Sequence, residues 1–269
     1  MIFKQHRIKS LLRNLTVIPD YEWPSDTDRF LLSVIQDEGV EHQSRLAAVE
    51  LAGNLSVVNP ELVEEFRKIA ENKNEEFELR LSAISAMAPI FEEVIKPSYL
   101  ETVSAIDAAE DIITIDSLTD AVHAVKEIYF NIKEEEEIRR QALKTAVRVF
   151  DDWQIEAVRK AYAEDNVEWK STAVFCMRYL KGFCKEILES IGSQNSEIKL
   201  NAIEAAAKHE LVDAWGEVEK VIKYERADID LLCAAIYAAP VLNPDGYRDV
   251  VVNLPEDGEI GEALAIVLG

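Results

Sequence analysis

SRLAAVELAG (44–53), LRLSAISAMA (79–88) and IRRQALKTAV (138–147) share one pattern, and WKSTAVFCMR (169–178), IKLNAIEAAA (198–207) and, more loosely, IDLLCAAIYA (229–238) continue it. The second position holds Arg45, Arg80, Arg139, Lys170 and Lys199, with Asp230 in the last. Three residues on stand Ala48, Ala83, Ala142, Ala173, Ala202 and Cys233. An aliphatic residue follows at once: Val49, Ile84, Leu143, Val174 and Ile203, with Ala234 in the last. Successive second positions lie 35, 59, 31, 29 and 31 residues apart, so the period is near 30. The gap of 59 reads as two units with one divergent repeat between them. Agreement of residue type, position and period marks a repeat architecture.

A second helical segment precedes most of these passages. NPELVEEFRKIAEN (59–72) places Leu62, Val63, Phe66 and Ile69 on one stripe, with Pro60 suited to a first helical position. DSLTDAVHAVKEIYFN (116–131), WQIEAVRKAYAED (153–165) and LVDAWGEVEKVIKYE (211–225) show the same spacing. The unit is therefore a helix pair, an amphipathic outer helix followed by an inner one rich in small residues. Alanine lets neighbouring helices approach closely, and the larger aliphatic beside it fills the space between layers. One pair cannot bury both its faces, so pairs must stack. The expected fold is all-α, an α-α superhelix (solenoid) of about six to seven helix pairs in a single domain.

Within that frame residues 1–25 form a basic N-terminal helix or cap and 26–240 the repeats. PSYLETVSAIDAAEDIITI lacks the Arg-x-x-Ala register, so an irregular pair or kink is expected over 90–116. Residues 241–269 close the array. The VVV there has strand propensity, but a lone strand would have no partner, so a short helix pair broken at Pro255 is expected as a cap.

These segments resemble HEAT repeats, through the Arg-x-x-Ala-aliphatic core of the inner helix over roughly residues 26–240. The resemblance implies an acidic residue in the turn before the inner helix, pairing with that helix's basic residue. Five residues before each second position stand Val40, Glu75, Glu134, Asp165, Gln194 and Glu225, four of them acidic. A partial ladder of charge-assisted contacts follows, and Asp230 leaves the last unit without its cation.

The composition narrows the function classes. Nine Gly and eight Pro are about 6% of 269 residues, half the ~12% of an average chain, so few turns are made. Twenty-nine Lys and Arg against 51 Asp and Glu give a net charge of −22. That field repels phosphate backbones and anionic lipid, so no nucleic-acid partner is expected, and a basic or neutral protein partner is favoured. Cys176, Cys184 and Cys233 form no CxxC and cannot all pair, which suits a reducing cytoplasm. Cys176 and Cys233 read as small core residues. No stretch reaches the roughly 18 apolar residues of a membrane span. The opening MIFKQHRIKSLLRNL carries Lys4, Arg7, Lys9 and Arg13 with no acid before Asp20, and its apolar residues recur at helical spacing. It reads as a first helix packed on the acidic body, able to contact a partner or surface.

Catalytic signatures are sparse. His6, His42, His123 and His209 form no HExxH and no Cys/His cluster, so no metal, cofactor or catalytic residue is assigned. HEAT-fold deoxyhypusine hydroxylases repeat His-Glu pairs to hold two irons. Here His209-Glu210 occurs once and Glu41-His42 is reversed, so His209 reads as a helix C-terminal histidine facing the negative dipole end. No GxGxxG, GxxxxGK[ST] or GxSxG occurs. The run Glu134–Glu137 reads as a solvated helix start, with Glu135 to Arg139 and Glu136 to Arg140 as i,i+4 pairs.

HEAT-like arrays bind partners on the concave face that their inner helices line. Five and nine residues past each second position sample one side of each inner helix. They give Glu50 and Asn54, Ser85 and Pro89, Lys144 and Arg148, Phe175 and Tyr179, Glu204 and Lys208, then Ala235 and Ala239. Lys144, Arg148, Phe175, Tyr179 and Lys208 reverse the local sign and are the candidate partner-binding residues, suited to an acidic or aromatic-bearing peptide. The expected function is a non-catalytic protein-interaction module or scaffold. The alternative is a HEAT-like enzyme or small-ligand binder of the bilin-lyase type. A nucleic-acid-modifying HEAT enzyme comes last, because alkylpurine DNA glycosylases of that fold grip DNA on a basic surface.

Overall fold

The computed structural model describes residues 2–55, 59–94 and 115–269, with side chains from residues 5 and 118 onward in the first and last stretches. Among the described residues the chain is all-helical, with fifteen α-helices, two 3₁₀ turns and no strand. It divides into two compact units, Met1–Phe150 and Asp151–Gly269.

The first unit contains α1 (Ile2–Leu15), α2 (Thr27–Gln36), α3 (His42–Ala52), α4 (Pro60–Glu71), α5 (Phe77–Val94), α6 (Ile115–Phe130) and α7 (Glu136–Ala146). Three pairs, α2/α3, α4/α5 and α6/α7, stack as two layers. α2, α4 and α6 form the outer layer, and α3, α5 and α7 the inner one. α4 shows how sequence sets an element. Asn59 accepts the Glu61 amide hydrogen bond at 2.8 Å, and Pro60 follows it as the first helical residue. Leu62, Val63, Phe66 and Ile69 are then all buried on one stripe.

Ala48, Ala83 and Ala142, with Val49, Ile84 and Leu143 beside them, are completely buried between the layers. Gly53 ends α3 against α5, and a Cβ there would stand 3.1 Å from the Ala86 Cα. A side chain at this approach would require α5 to give by a few tenths of an ångström.

Across the long gap in the repeat period, the described helices on either side are direct neighbours. α5 packs directly on α7, and α4 on α6. The Thr145 hydroxyl donates to the Ile84 carbonyl at 3.0 Å, across the place where the period alone puts a divergent repeat. Of the stretch expected to be irregular, residues 90–94 complete α5 and 115–116 begin α6, while 95–114 lie outside the described residues.

α1 lies on α3 and buries Ile8, Leu12 and Leu15. Gln5 donates to the Gly39 carbonyl at 2.8 Å, and Lys9 pairs with Glu41 at 2.6 Å.

The second unit contains α8 (Trp153–Ala163), α9 (Val167–Met177), α10 (Cys184–Ile191), α11 (Ser196–Lys208), α12 (Trp215–Tyr224), α13 (Ile229–Leu242), α14 (Tyr247–Val251) and α15 (Gly258–Leu268). α8/α9, α10/α11 and α12/α13 are again pairs, with α9, α11 and α13 packed in succession. Asn166, Asn195 and Asp228 cap the three inner helices through side-chain oxygens on backbone N–H groups. α15 covers α13, and the Tyr247 hydroxyl donates to the Val267 carbonyl at 2.9 Å. Cys176 is a core residue, whereas Cys233 is half-buried and Cys184 exposed. No described helix is long and apolar enough to cross a membrane.

Candidate functional site

What holds the inner helices in register is the basic residue of the repeat. In the first unit each arginine reaches back to the C-terminal end of its own outer helix. Arg45 Nε donates to the Ile35 carbonyl at 2.9 Å, Arg80 Nε to Ala70 at 3.1 Å, and Arg139 Nε to Tyr129 at 2.9 Å. These are the carbonyls that a helix end leaves without partners.

The carboxylate partner then comes from the following repeat, not from the turn before the same helix. Arg45 pairs through both terminal nitrogens with Glu75 at 2.9 and 3.1 Å, and Arg80 pairs with Glu134 at 2.9 Å. The ladder thus runs between layers and ties each pair to the next. Arg80 and Glu134 are both almost completely buried, with side chains 5% and 4% exposed. Glu134 is therefore no solvated helix start. It also takes Lys73 at 3.1 Å and Asn131 at 3.2 Å. Burial pushes the Glu134 carboxyl up, but hydrogen bonds from Lys73 and Arg80 and their positive charges outweigh it, and its pKa lies below the ordinary value. In the second unit Glu225 is held low by the amides of Ala227, Asp228 and Arg226, with a smaller contribution from the charge of Lys199. Lys170 departs from the ladder and sits 4.9 Å over the Tyr162 ring.

With the helices so fixed, the sampled face points outward. Glu50, Asn54, Ser85 and Pro89 are exposed, and Lys144 and Arg148 are half-buried on the first unit. Arg148 donates to the Lys144 carbonyl, and its Nε lies 3.7 Å from Glu92 of α5. Arg148 thus already engages groups of its own unit.

Phe175, Tyr179 and Lys208 stand on the second unit. The two rings form a tilted pair 5.8 Å apart at 46°. Arg178, absent from the sequence-derived set, lies 5.0 Å over Phe175 and pairs with Glu204 of α11. Lys208 is exposed, with no ion pair among the described residues.

The last repeat corrects the sequence register. Ala235 and Ala239, expected on the outward face, are completely buried. Ala235 and Ile236 are the true Ala-aliphatic core, so the unit is shifted by two residues and Leu232 takes the place given to Asp230. Counting five and nine from Leu232 gives Tyr237 and Val241, which are 45% and 42% exposed. The second unit therefore presents Phe175 of α9 and Tyr237 and Val241 of α13, with Tyr179 in the turn just after α9 and Glu204 and Lys208 on α11 between the two helices. The Ala-aliphatic pair at 235–236 is the signal in the sequence that leads to Tyr237 and Val241.

His209 serves the scaffold. It ends α11, and its Nε2 lies 2.7 Å from the Met177 carbonyl at the end of α9, to which it donates. Glu210 follows with φ 54, while Leu211 N donates to Ala206 at 2.9 Å and Glu210 N to Ala207 at 3.1 Å. These are the two bonds of a Schellman cap, with glutamate where glycine is preferred. Glu210→Gly is therefore expected to raise unfolding free energy by about 1 kcal/mol. Thermal denaturation checks this, and an unchanged or lower midpoint contradicts it.

Two cavities accompany these features. One of about 420 Å³ is lined by Lys73, Arg80, Glu127, Phe130 and Glu134, behind the ladder. Another of about 320 Å³ is lined by Arg159, Tyr162, Phe183 and Lys185. Among the described residues no three His, Cys, Asp or Glu side chains are grouped to hold a metal ion.

No protein-family model matches the chain, and no curated protein matches it. Among solved structures, the Escherichia coli protein YibA is similar over 93% of this chain and 84% of its own, with 14% identity and a TM-score of 0.43. An engineered protein is similar over 91% of this chain and 78% of its own, with 16% identity and a TM-score of 0.42.

Proposed function

We propose that the protein is a non-catalytic, HEAT-like interaction module that binds an acidic, aromatic-bearing segment of a partner protein on the outward face of the inner helices of its second unit. The observation that carries this reading is the row Phe175, Tyr179, Tyr237 and Val241. These are large side chains partly open to solvent on, or just past the end of, helices whose apolar residues are otherwise mostly buried. Half-exposed aromatic anchors beside cations are what an interface core needs. Lys208 supplies positive charge on α11, which packs between α9 and α13, in a chain of −22.

The test is selection of binding peptides from a displayed library with the full chain, followed by fluorescence anisotropy on the enriched sequences. The expected enrichment is for Asp or Glu next to Phe, Tyr or Trp. Phe175→Ala with Tyr179→Ala is expected to weaken binding at least about 10-fold, as for interface hot spots. Lys208→Glu, as the second variant beside the Phe175→Ala, Tyr179→Ala pair, is expected to weaken binding as well and to reduce its salt dependence. Enriched peptides that bind both variants as tightly as the parent chain would overturn the reading.

A further inference from the structure

The two rungs of the arginine ladder in the first unit are not equivalent. Arg45 gives Nη1 and Nη2 to the two oxygens of Glu75, so that guanidinium and carboxylate satisfy each other. At the next rung Lys73 and Asn131 take Oε1 of Glu134, and only Oε2 remains for Arg80, which reaches it through Nη2. Nε and Nη2 of Arg80 also hold the Ala70 carbonyl. Nη1 therefore makes no hydrogen bond among the described residues. Its carboxylate neighbour Glu135 stands 3.8 Å away, beyond hydrogen-bond reach, and is itself exposed. Two N–H donors on an almost completely buried guanidinium call for an acceptor. Arg80 lines the cavity of about 420 Å³, and an acceptor seated there can supply the missing bonds.

The rest of that cavity limits what the acceptor belongs to. Its volume lies within the range of about 300–1,000 Å³ of small-ligand sites. Ala124 and Ile128 of α6, both buried, and the exposed ring of Phe130 supply an apolar wall. Lys73 lines it too, and its ammonium carries donors beyond the one used on Glu134. Glu127 brings the opposite sign. Its ion-pair contact among the described residues is His123 at 4.0 Å, which counts only when that histidine is protonated. A simple anion in the cavity would meet the Glu127 carboxylate, and a simple cation would meet Lys73 and Arg80. A molecule with both charges and an apolar body is complementary to the whole wall.

We propose that this cavity of the first unit binds a small zwitterion with an apolar side chain, a free α-amino acid of the phenylalanine or leucine kind. Its carboxylate accepts from Arg80 Nη1 and Lys73 Nζ, its ammonium donates to Glu127, and its side chain lies against Phe130, Ala124 and Ile128. The site is independent of the peptide-binding face of the second unit.

Isothermal titration calorimetry of the full chain tests it with L-phenylalanine, L-leucine and three probes that each lack one feature. N-acetyl-L-phenylalanine lacks the ammonium, L-phenylalaninamide the carboxylate, and glycine the apolar side chain. The expected result is one-to-one binding of phenylalanine or leucine that saturates by about 5 mM. Each of the three probes is expected to bind at least about 10-fold more weakly, because a charged or apolar partner in the wall is then left unmatched. Arg80 is left intact, since its loss would unsettle the fold. Glu127→Gln and Phe130→Ala change exposed side chains and keep the helices, which circular dichroism checks. Each is expected to weaken binding of the amino acid at least about 3-fold. Absence of binding by both amino acids to the parent chain would overturn the proposal. So would a truncated probe that binds as tightly as phenylalanine, or affinity unchanged in both variants.

Discussion

Arg80→Met is expected to lower unfolding free energy by about 3–5 kcal/mol, the range for removing one partner of a buried ion pair. The substitution strands the Glu134 carboxylate and removes both donors from the Ala70 carbonyl. Lys73 remains 3.1 Å from Glu134 but is 59% exposed, so its compensation holds the loss toward the lower end of that range. Urea denaturation followed by circular dichroism measures the effect. Arg80→Met with Glu134→Leu is expected to recover much of it, because an apolar pair of similar volume often replaces a buried ion pair without loss. A single-variant loss under about 1 kcal/mol would contradict the buried ladder.

The same pair sets a pH dependence. The Glu134 pKa is lowered on folding, so its stabilising contribution is complete above the ordinary value of 4.5 and is lost as pH falls through the lower folded value. The parent chain is therefore expected to lose stability progressively below pH 4.5. In Arg80→Met that acid-dependent loss should shrink, since the cation that holds the carboxyl low is gone.

Phe66→Ala is the second large effect, with about 3–5 kcal/mol expected from lost burial and the cavity left behind. Phe66 is completely buried on the α4 stripe, with Leu62, Val63 and Ile69 beside it. α4 packs on α2, α5 and α6, so the site cannot collapse without moving a layer. Phe66→Leu, which retains most of the volume, is expected to lose markedly less. Equal losses for the two variants would show that the cavity does not govern the cost.

Much of the architecture is legible in the spacing of small and apolar residues. Ala48, Ala83, Ala142, Ala173 and Ala202, each with its aliphatic neighbour, are completely buried, because small residues at a fixed step are what close helix packing requires. Asn59 with Pro60 likewise announces the start of α4. The candidate face is legible only in part. Phe175, Tyr179 and Lys208 can be counted from their repeats, but Asp230 stands where the period alone puts a repeat position. Counting from it leads to two buried alanines instead of Tyr237 and Val241.

The sequence by itself determined the helix pairs, their all-α stacking and, wherever the repeat register is regular, the side of each inner helix that meets solvent. All three follow from local spacing and from the need to bury apolar stripes. Tertiary structure decided which carboxylate each arginine meets, that α5 and α7 are direct neighbours despite the 59-residue gap, and that Glu134 is buried. The arginine–carboxylate contacts join residues 30 and 54 positions apart, chosen by how layers seat on one another. A periodic pattern records the face a residue occupies, but not the partner that the next layer brings to it.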